Sequence, residues 1–422
     1  MLLKQFVFFV NDIGIAYFLA VNLFYIILIS CCFPMIFRRY TESQFENMTS
    51  LLNSSSLPSV CIIVPMHNEE KLIVKSIKAL LEISYPHFHI IVVNDGSTDR
   101  SLECVQEAFK TELMNGSIKL IDKKQGGKGD ALNTGIRAAE DPLILTVDAD
   151  TFLERDALSR MVIAFIRSPG VVAQGGTLRI VPDSLYLTST QTVEYLRAFL
   201  YGRLGWNYLG GNLIVSGAFG LFDRAALLEV GGYIVGEVSE DIEITVKLTR
   251  LIREKHKKNA VQFIPDPVAW TKGPKTKGGL GRQRERWQRG LIDTIIRHKD
   301  ILFNPKYGLT AFVGFPYLIF AEMVQPVIEL IVSLAVIAGL ILGVFHWEIL
   351  FVFIAATWGV HCLLTLLALV LEMTTFQRYG KSKDLLRLGW FALIENIGFR
   401  QICMVWRVFA FYRYAIGYKK WH

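Results

Sequence analysis

Leu143-Ile-Leu-Thr-Val-Asp-Ala-Asp-Thr151 is the stretch on which the fold turns. Its first five residues, mostly β-formers, run without alternation into Asp148. Such a run fits a strand buried on both faces. Asp150 follows two positions after Asp148. Alternate residues of an extended chain point the same way, so both carboxylates can reach one site. Two acids at the carboxyl end of a buried strand suit a divalent cation carrying a diphosphate. Read alone, Asp-x-Asp is equally an acidic turn after a strand. Its neighbours decide.

Working outward, Val60–Pro65, His89–Val93 and Ile118–Ile121 are further short apolar strands. Helical spacing over Glu69–Ile83, Ser101–Lys110 and Asp130–Ala139 separates them. Buried strands alternating with helices predict an α/β, doubly wound, mostly parallel sheet. Such sheets bind nucleotides at the carboxyl ends of their strands. Those ends carry Pro65-Met-His-Asn-Glu-Glu70, Asn94-Asp-Gly-Ser-Thr-Asp99, Gln125-Gly-Gly-Lys-Gly-Asp130 and the Asp148–Asp150 pair. The third is not a Walker A loop, because Lys128 is followed by glycine. Each loop alone is ordinary turn chemistry. Four polar loops on one sheet edge make a nucleotide site.

The chain has 422 residues, 52% of them hydrophobic, and a mean hydropathy of +0.36. That is too apolar for an ordinary soluble enzyme and leaves room for one globular domain plus membrane helices. The net charge of +7 suits anionic lipid or an anionic substrate, and equally a solvated face beside a membrane. The six cysteines form no C-x-x-C pair and read as reduced core or membrane residues. Ile13–Phe37 carries no charge and is long enough to span a bilayer. Arg38 and Arg39 follow it, which places the next domain in the cytoplasm by the positive-inside rule. A cleaved signal peptide is the competing reading, without the usual flanking charge or cleavage site.

Three further motifs complete a pattern: Ser216-Gly-Ala-Phe-Gly220, Ser239-Glu-Asp241 and Gln283-Arg-Glu-Arg-Trp287. With them, residues 58–300 resemble glycosyltransferase family 2, the inverting enzymes with a GT-A fold. More narrowly they resemble its membrane-embedded processive branch, the cellulose, chitin, hyaluronan and poly-N-acetylglucosamine synthases. The resemblance implies a nucleotide site of Pro65, Asn68, Glu69, Asn94, Asp95, Lys128, Asp148 and Arg286. It implies Mg²⁺ or Mn²⁺ on Asp150 and Asp148, and catalytic roles for Glu240 and Asp241, with Asp241 the general base. It implies an acceptor site of Ser216, Gly217, Gln283 and Trp287. Ser239 stands where the family has threonine and can cap the helix it precedes, whose first turn favours ionised carboxylates. The Q-x-x-R-W pattern separates processive members from single-transfer relatives. Its segment also reads as an amphipathic interfacial helix.

These readings divide the chain into a membrane helix (1–40), a linker (41–58), the GT-A domain (59–280), the interfacial helix (281–305) and carboxyl-terminal membrane or interfacial helices (306–422). Residues 311–344 read as a re-entrant helix plus a span, or as two tight spans. Ile349–Leu371 reads as a span. The basic loop of Arg378, Lys381, Lys383 and Arg387 and the tail with Lys419 and Lys420 read as cytoplasmic. Leu388–Phe411 then cannot be one simple span. Glu322, Glu329, Glu372, Glu395 and Arg400 border or interrupt apolar stretches and either line a polymer conduit or tie helices together. The expected function is polymerisation of a UDP-activated sugar, UDP-N-acetylglucosamine first, at the plasma (inner) membrane. The expected partners are the UDP-sugar, a growing polysaccharide or lipid acceptor, the bilayer and an accessory subunit, with no nucleic acid. The rivals are single transfer to a polyprenyl phosphate or glycolipid, and a non-catalytic UDP-sugar sensor.

Overall fold

The computed structural model describes residues 2–45, 52, 57–181, 183, 185–255, 261–343, 347–376, 379 and 382–418. Most of the expected linker, together with Arg378, Lys381, Lys419 and Lys420, lies outside them.

Eight strands form one sheet: β1 (Val60–Met66), β2 (Phe88–Asp95), β3 (Ile118–Lys123), β4 (Leu143–Val147), β5 (Phe152–Leu153), β6 (Ala173–Ile180), β7 (Phe219–Asp223) and β8 (Val261–Thr271). Their order is β3-β2-β1-β4-β7-β6-β8-β5. The first four are parallel, as the uninterrupted apolar runs require. Beyond them the sheet is mixed. β7 runs antiparallel to β4 and β6, β5 runs antiparallel to β8, and β6 and β8 are parallel. Mixed sheets of this kind are common in α/β folds.

Alternate strand residues feed two cores. Val60, Ile62 and Val64 of β1 face one side, with Ile73, Ile77 and Leu80 of the Ile73–Leu81 helix. Cys61 and Ile63 face the other, with Leu132 and Ile136 of Lys128–Ala138 and Ile244 and Leu248 of Glu240–Glu254. Gly176 sits at a bulge between β6 and β8. A Cβ there would lie 2.1 Å from the Phe219 ring, so the bare backbone makes room for an aromatic core residue. The chain winds from β1 out to β3 and returns to β4 on the other side of β1. That is the switch point at which open α/β sheets hold ligands, between the ends of β1 and β4.

The amino-terminal helix spans Leu2–Phe45, and its Lys4–Arg39 portion is long and apolar enough to cross a membrane. Arg39, expected as a topological marker, has a second job. Its guanidinium forms a two-pronged pair with Asp266 of β8, both bonds 2.8 Å, and is buried. Gly205, in the Leu204–Leu209 helix, meets the Leu28 carbonyl so closely that a Cβ would lie 2.4 Å from the oxygen.

Residues 311–344 resolve as a bent pair, Thr310–Met323 and Gln325–Ile341, meeting at 43°. Ile349–Leu371 falls into two helices, Trp347–Ile354 and Val360–Thr375, joined by a π-helical Ala355–Gly359. Leu388–Phe411 is also divided. Ser382–Ile394 and Phe399–Ala415 flank a turn at Glu395–Gly398, where Gly398 has φ +85°. The segment predicted as interfacial is the Lys277–Arg297 helix, begun by Thr276, whose Oγ1 accepts from Gly279 N at 3.1 Å. Its Leu280, Gly281, Arg284 and Gln288 are buried, so it is a packed element between the sheet domain and the apolar helices.

Candidate active site

One cavity of about 890 Å³ opens at the switch point and continues among the carboxyl-terminal helices. Pro65, Glu69, Asp95, Lys128, Asp148, Asp150, Ser216, Gly217, Glu240, Asp241, Gln283, Arg286 and Trp287 all line it. Residues spread over more than 220 positions therefore share one volume.

Asp148 and Asp150 follow β4, as the alternation of an extended chain predicts. Burial, then the negative charge of Asp148, pushes the Asp150 carboxyl up to about 6. Burial, then Asp150 and Asp148, pushes Glu69 up to about 7. Acids that resist ionising together mark a place where a cation is wanted. An all-carboxylate donor set fits a hard ion such as Mg²⁺ or Mn²⁺.

Lys128 supplies part of that positive charge. Its ammonium lies 2.6 Å from Asp148 and 3.0 Å from Glu240, and the two acids hold its pKa above the ordinary lysine range against the opposing effect of burial. The loop that presents it is organised by Asp95. The carboxylate of Asp95 accepts from the amides of Gly126 at 2.8 Å and Gly127 at 2.7 Å, and from Lys123 Nζ at 2.6 Å. The role expected of Asp95 toward a nucleotide is thus first one of shaping the Gly-Gly-Lys turn.

Asp241 opens the Glu240–Glu254 helix, and the first-turn position was expected to favour its anion. Burial outweighs the helix terminus. Desolvation, then the charge of Glu240, raises its pKa, while Lys128, the Ile242 amide and Arg203 oppose the rise. Ser239 does not cap this helix. Its Oγ is buried without a hydrogen bond. The cause is Gly290, where a Cβ would lie 2.0 Å from that Oγ, so the Lys277–Arg297 helix presses directly on Ser239. Gly217 borders the same spot: a methyl there would lie 3.3 Å from Lys128 Nζ and 3.4 Å from Asp241 Cβ. Its bare backbone leaves space for an incoming group.

In Gln283–Trp287 the flanking and central residues divide the work. Gln283, Arg286 and Trp287 line the cavity, and Gln283 Oε1 is buried without a hydrogen-bond donor. Arg284 forms a two-pronged pair with Glu194 at 2.8 and 2.6 Å and stacks 4.6 Å over Trp287. Glu285 pairs with Arg413 at 2.9 Å.

Two expected residues do not line the cavity. Asn94 spans its own loop, donating to Asp122 at 2.7 Å and accepting from Ser97 N at 3.3 Å. Asn68 has φ +57° and accepts from Thr98 N at 2.8 Å. Both are Asx loop-formers. Conversely, Glu194, Tyr195, Arg197, Arg203 and Trp206 line the cavity from the Tyr186–Leu209 helical run, which carries no motif. Of the charged residues in apolar stretches, Glu322, Glu329, Glu395 and Arg400 line it too. Glu372 instead makes a sealed pair with Arg179 at 2.7 and 2.6 Å.

All six cysteines are free. Cys61, His89 and Asp141 place donor atoms within 4.8 Å of one another, at the amino ends of the strands and away from the cavity. His89 lies 3.3 Å from Asp141, and Lys119 and Arg224 act on the same thiol, so that corner already has its counter-charges.

Residues 61–231 match the family model described as glycosyl transferase family 2. Over 239 residues the chain is 31% identical to a poly-beta-1,6-N-acetyl-D-glucosamine synthase of Staphylococcus epidermidis, covering 56% of each. A synthase of the same name from Staphylococcus aureus (strain COL) is 30% identical over 247 residues, 58% of each. The matched region thus spans less than two thirds of these relatives. A mannosyltransferase from Pyrobaculum calidifontis, solved in complex with GDP-Man and Mn²⁺, superposes with a TM-score of 0.54 at 20% identity. The superposition covers 90% of this chain and 99% of that one. The fold is GT-A-like.

Proposed function

From a chain whose residues 61–231 match the glycosyl transferase family 2 model, we infer a processive, inverting β-glycosyltransferase that polymerises a UDP-activated sugar and passes the product across the membrane. UDP-N-acetylglucosamine is the first donor to test, as the names of the staphylococcal relatives suggest. The observation that carries the reading is the continuity of the cavity. It runs from Asp148, Asp150 and Asp241 past Trp287 to Glu329, Glu395 and Arg400 among the apolar helices. A growing polymer needs a path beyond the transfer site, and this extension lies where one would run.

In this reading the GT-A domain is cytoplasmic, at the plasma (inner) membrane. The amino-terminal helix, the bent pair and the later apolar helices embed the chain. Asp148 and Asp150 would hold Mg²⁺ or Mn²⁺, which would supply charge neutralisation to the leaving diphosphate. Lys128 and Arg286 contribute further positive charge for that group. Asp241 takes the proton of the acceptor hydroxyl as the oxygen attacks the anomeric carbon from the face opposite the diphosphate. Its raised pKa strengthens it as a base, and Lys128 and Arg203 limit the rise. Gly217 leaves the acceptor room, while Gln283 and Trp287 hold it by hydrogen bonding and stacking.

Purified full-length protein in lipid, given single UDP-sugars and Mg²⁺ or Mn²⁺, should convert one of them to polymer. Absence of polymer from every donor, with UDP still released, would sink the reading.

A further inference from the structure

The carboxyl-terminal helix, Phe399–Ala415, carries Arg400, Trp406 and Arg407 into the apolar region, and the proposed chemistry assigns them nothing. The contacts of Arg407 converge on the bend at Val324. Leu318–Met323 is π-helical, with Val324 N bonding to Ile319 O five residues back. Pro326 has no N–H, and Val327 N bonds back to Val324 O at 3.0 Å, so neither an α- nor a π-helical donor reaches the Glu322 carbonyl, and Val327 N does not serve the Met323 carbonyl. Side chains from two other helices take both groups. Arg407 Nη2 donates to Glu322 O. Gln288 Nε2 donates to Met323 O at 2.8 Å. The two side chains are joined in turn, with Arg407 Nε donating to Gln288 Oε1 at 2.8 Å.

The junction is braced on both sides. Arg400, seven residues before Arg407, forks onto Glu329, seven residues after Glu322, at 3.0 and 3.3 Å. The carboxyl-terminal helix is therefore tied to both arms of the bent pair, with Arg407 lying 3.7 Å from the Glu322 carboxylate. Trp406 packs on Gly281, where a Cβ would lie 2.7 Å from the indole, so the Q-x-x-R-W helix meets this helix at its backbone.

We propose that Arg407 is a positioning residue for polymerisation: through Gln288 it fixes Trp287 and Gln283 against the bent wall of the cavity. Gln288 is the residue after Trp287, so the tie holds the helix rotation that points Gln283 and Trp287 inward. The bend leaves two orphan carbonyls, and they serve as the anchor. The inference rests on the processive reading above.

The test uses full-length protein in lipid nanodiscs as wild type, Arg407→Ala, Arg407→Lys, Pro326→Ala and the Arg407→Ala/Pro326→Ala double variant. Arg407→Ala should lower kcat about 5- to 100-fold, the range for a buried acceptor that loses its donor. Donor KM should stay within about twofold, and the product should shorten. Lysine, lacking the fork, should restore little. Pro326→Ala returns an N–H to the Glu322 carbonyl, so the double variant should recover both rate and length. Unchanged kcat and product length in Arg407→Ala, or no recovery in the double variant, overturns the proposal. Hydrogen exchange of residues 280–290 reads the junction without any activity. It should quicken in Arg407→Ala and slow again in the double variant, and unchanged exchange also overturns the proposal. A wild type that makes no polymer, with the variants still showing this exchange pattern, would instead defeat the processive reading alone.

Discussion

Lys128 Nζ stands 2.6 Å from Asp148 Oδ1 and so joins the loop after β3 to the acid after β4. Glu240 shares the same ammonium at 3.0 Å, which brings the start of the Glu240–Glu254 helix into the contact. One side chain thus compensates acids from two different elements of the cavity wall. Lys128→Met should leave Asp148, Asp150 and Glu240 repelling one another. UDP affinity should fall about 10- to 100-fold, as for a lost charge-assisted contact of about 1.5–3 kcal/mol. The variant should melt lower than wild type, and Mg²⁺ or Mn²⁺ should raise its melting temperature more than it raises that of wild type. Calorimetric UDP titration and thermal scans with and without metal check both effects.

Asp241→Asn keeps the shape of the side chain and removes the proposed base. Polymer formation should drop by about 10²–10⁴, the range for a general base. UDP binding should hold, because Lys128, Asp148 and Arg286 are untouched. Asn also cannot carry the charge that burial and Glu240 already oppose, so the variant should be at least as stable as wild type. Radiolabel incorporation beside a UDP-binding isotherm separates the two effects. Full activity would remove Asp241 from the mechanism.

How much of this was legible beforehand follows from where burial obeys a simple pattern. Strands β1 to β4 are buried on both faces and announce themselves as apolar runs. The Tyr186–Arg197 helix does not, because Thr188, Ser189, Thr190, Gln191 and Thr192 are buried in it. These polar groups tolerate burial partly by bonding back one turn. Thr192 Oγ1 reaches Thr188 O at 2.8 Å, and Gln191 Nε2 reaches Leu187 O at 2.9 Å. No apolar period survives, so the cavity residues Glu194, Tyr195 and Arg197 were missed. Strand β8 hides behind Pro265 and Pro267, which usually argue against a strand. The acids and Gln283, Arg286 and Trp287 share the cavity wall, and their spacing is what drew attention to them. Asn68 and Asn94 lie outside its lining, because their side chains bond to neighbouring loops and β3. Ser239 failed as a cap because of Gly290, a neighbour 51 residues away that no local rule sees.

Glu237 offers a pH test away from the proposed metal ligands. Burial, then its contact with Asp293, pushes its carboxyl up to about 7, while Asp293 is held below its usual value, in part by that contact. The folded chain therefore keeps a proton that the unfolded chain loses near pH 4.5. Between those values the folded state binds more protons, so this group's contribution to stability falls as pH rises toward about 7. Glu237→Gln mimics the protonated form. Its melting temperature should match wild type near pH 5 and exceed it near pH 8, as melts across that range will show. An identical pH profile in both proteins would rule out the assignment.

Arg39 and Asp266 join the amino-terminal helix to β8 through two 2.8 Å bonds. Arg160 also reaches Asp266, at 3.2 Å. Removing Arg39 leaves the acid Arg160, whereas removing the acid takes a partner from both guanidiniums, Arg160 keeping Asp156 at 2.6 Å. Asp266→Ala should therefore be the more damaging change. Breaking a buried pair costs about 3–5 kcal/mol when no partner remains. Arg39→Ala should fall below that range, because Arg160 stays. The double variant should cost less than the sum of the two single changes, because both remove the same contact. Thermal melts of the four proteins in one lipid composition give the cycle. Additive losses would mean that the helix docks on β8 by apolar packing alone.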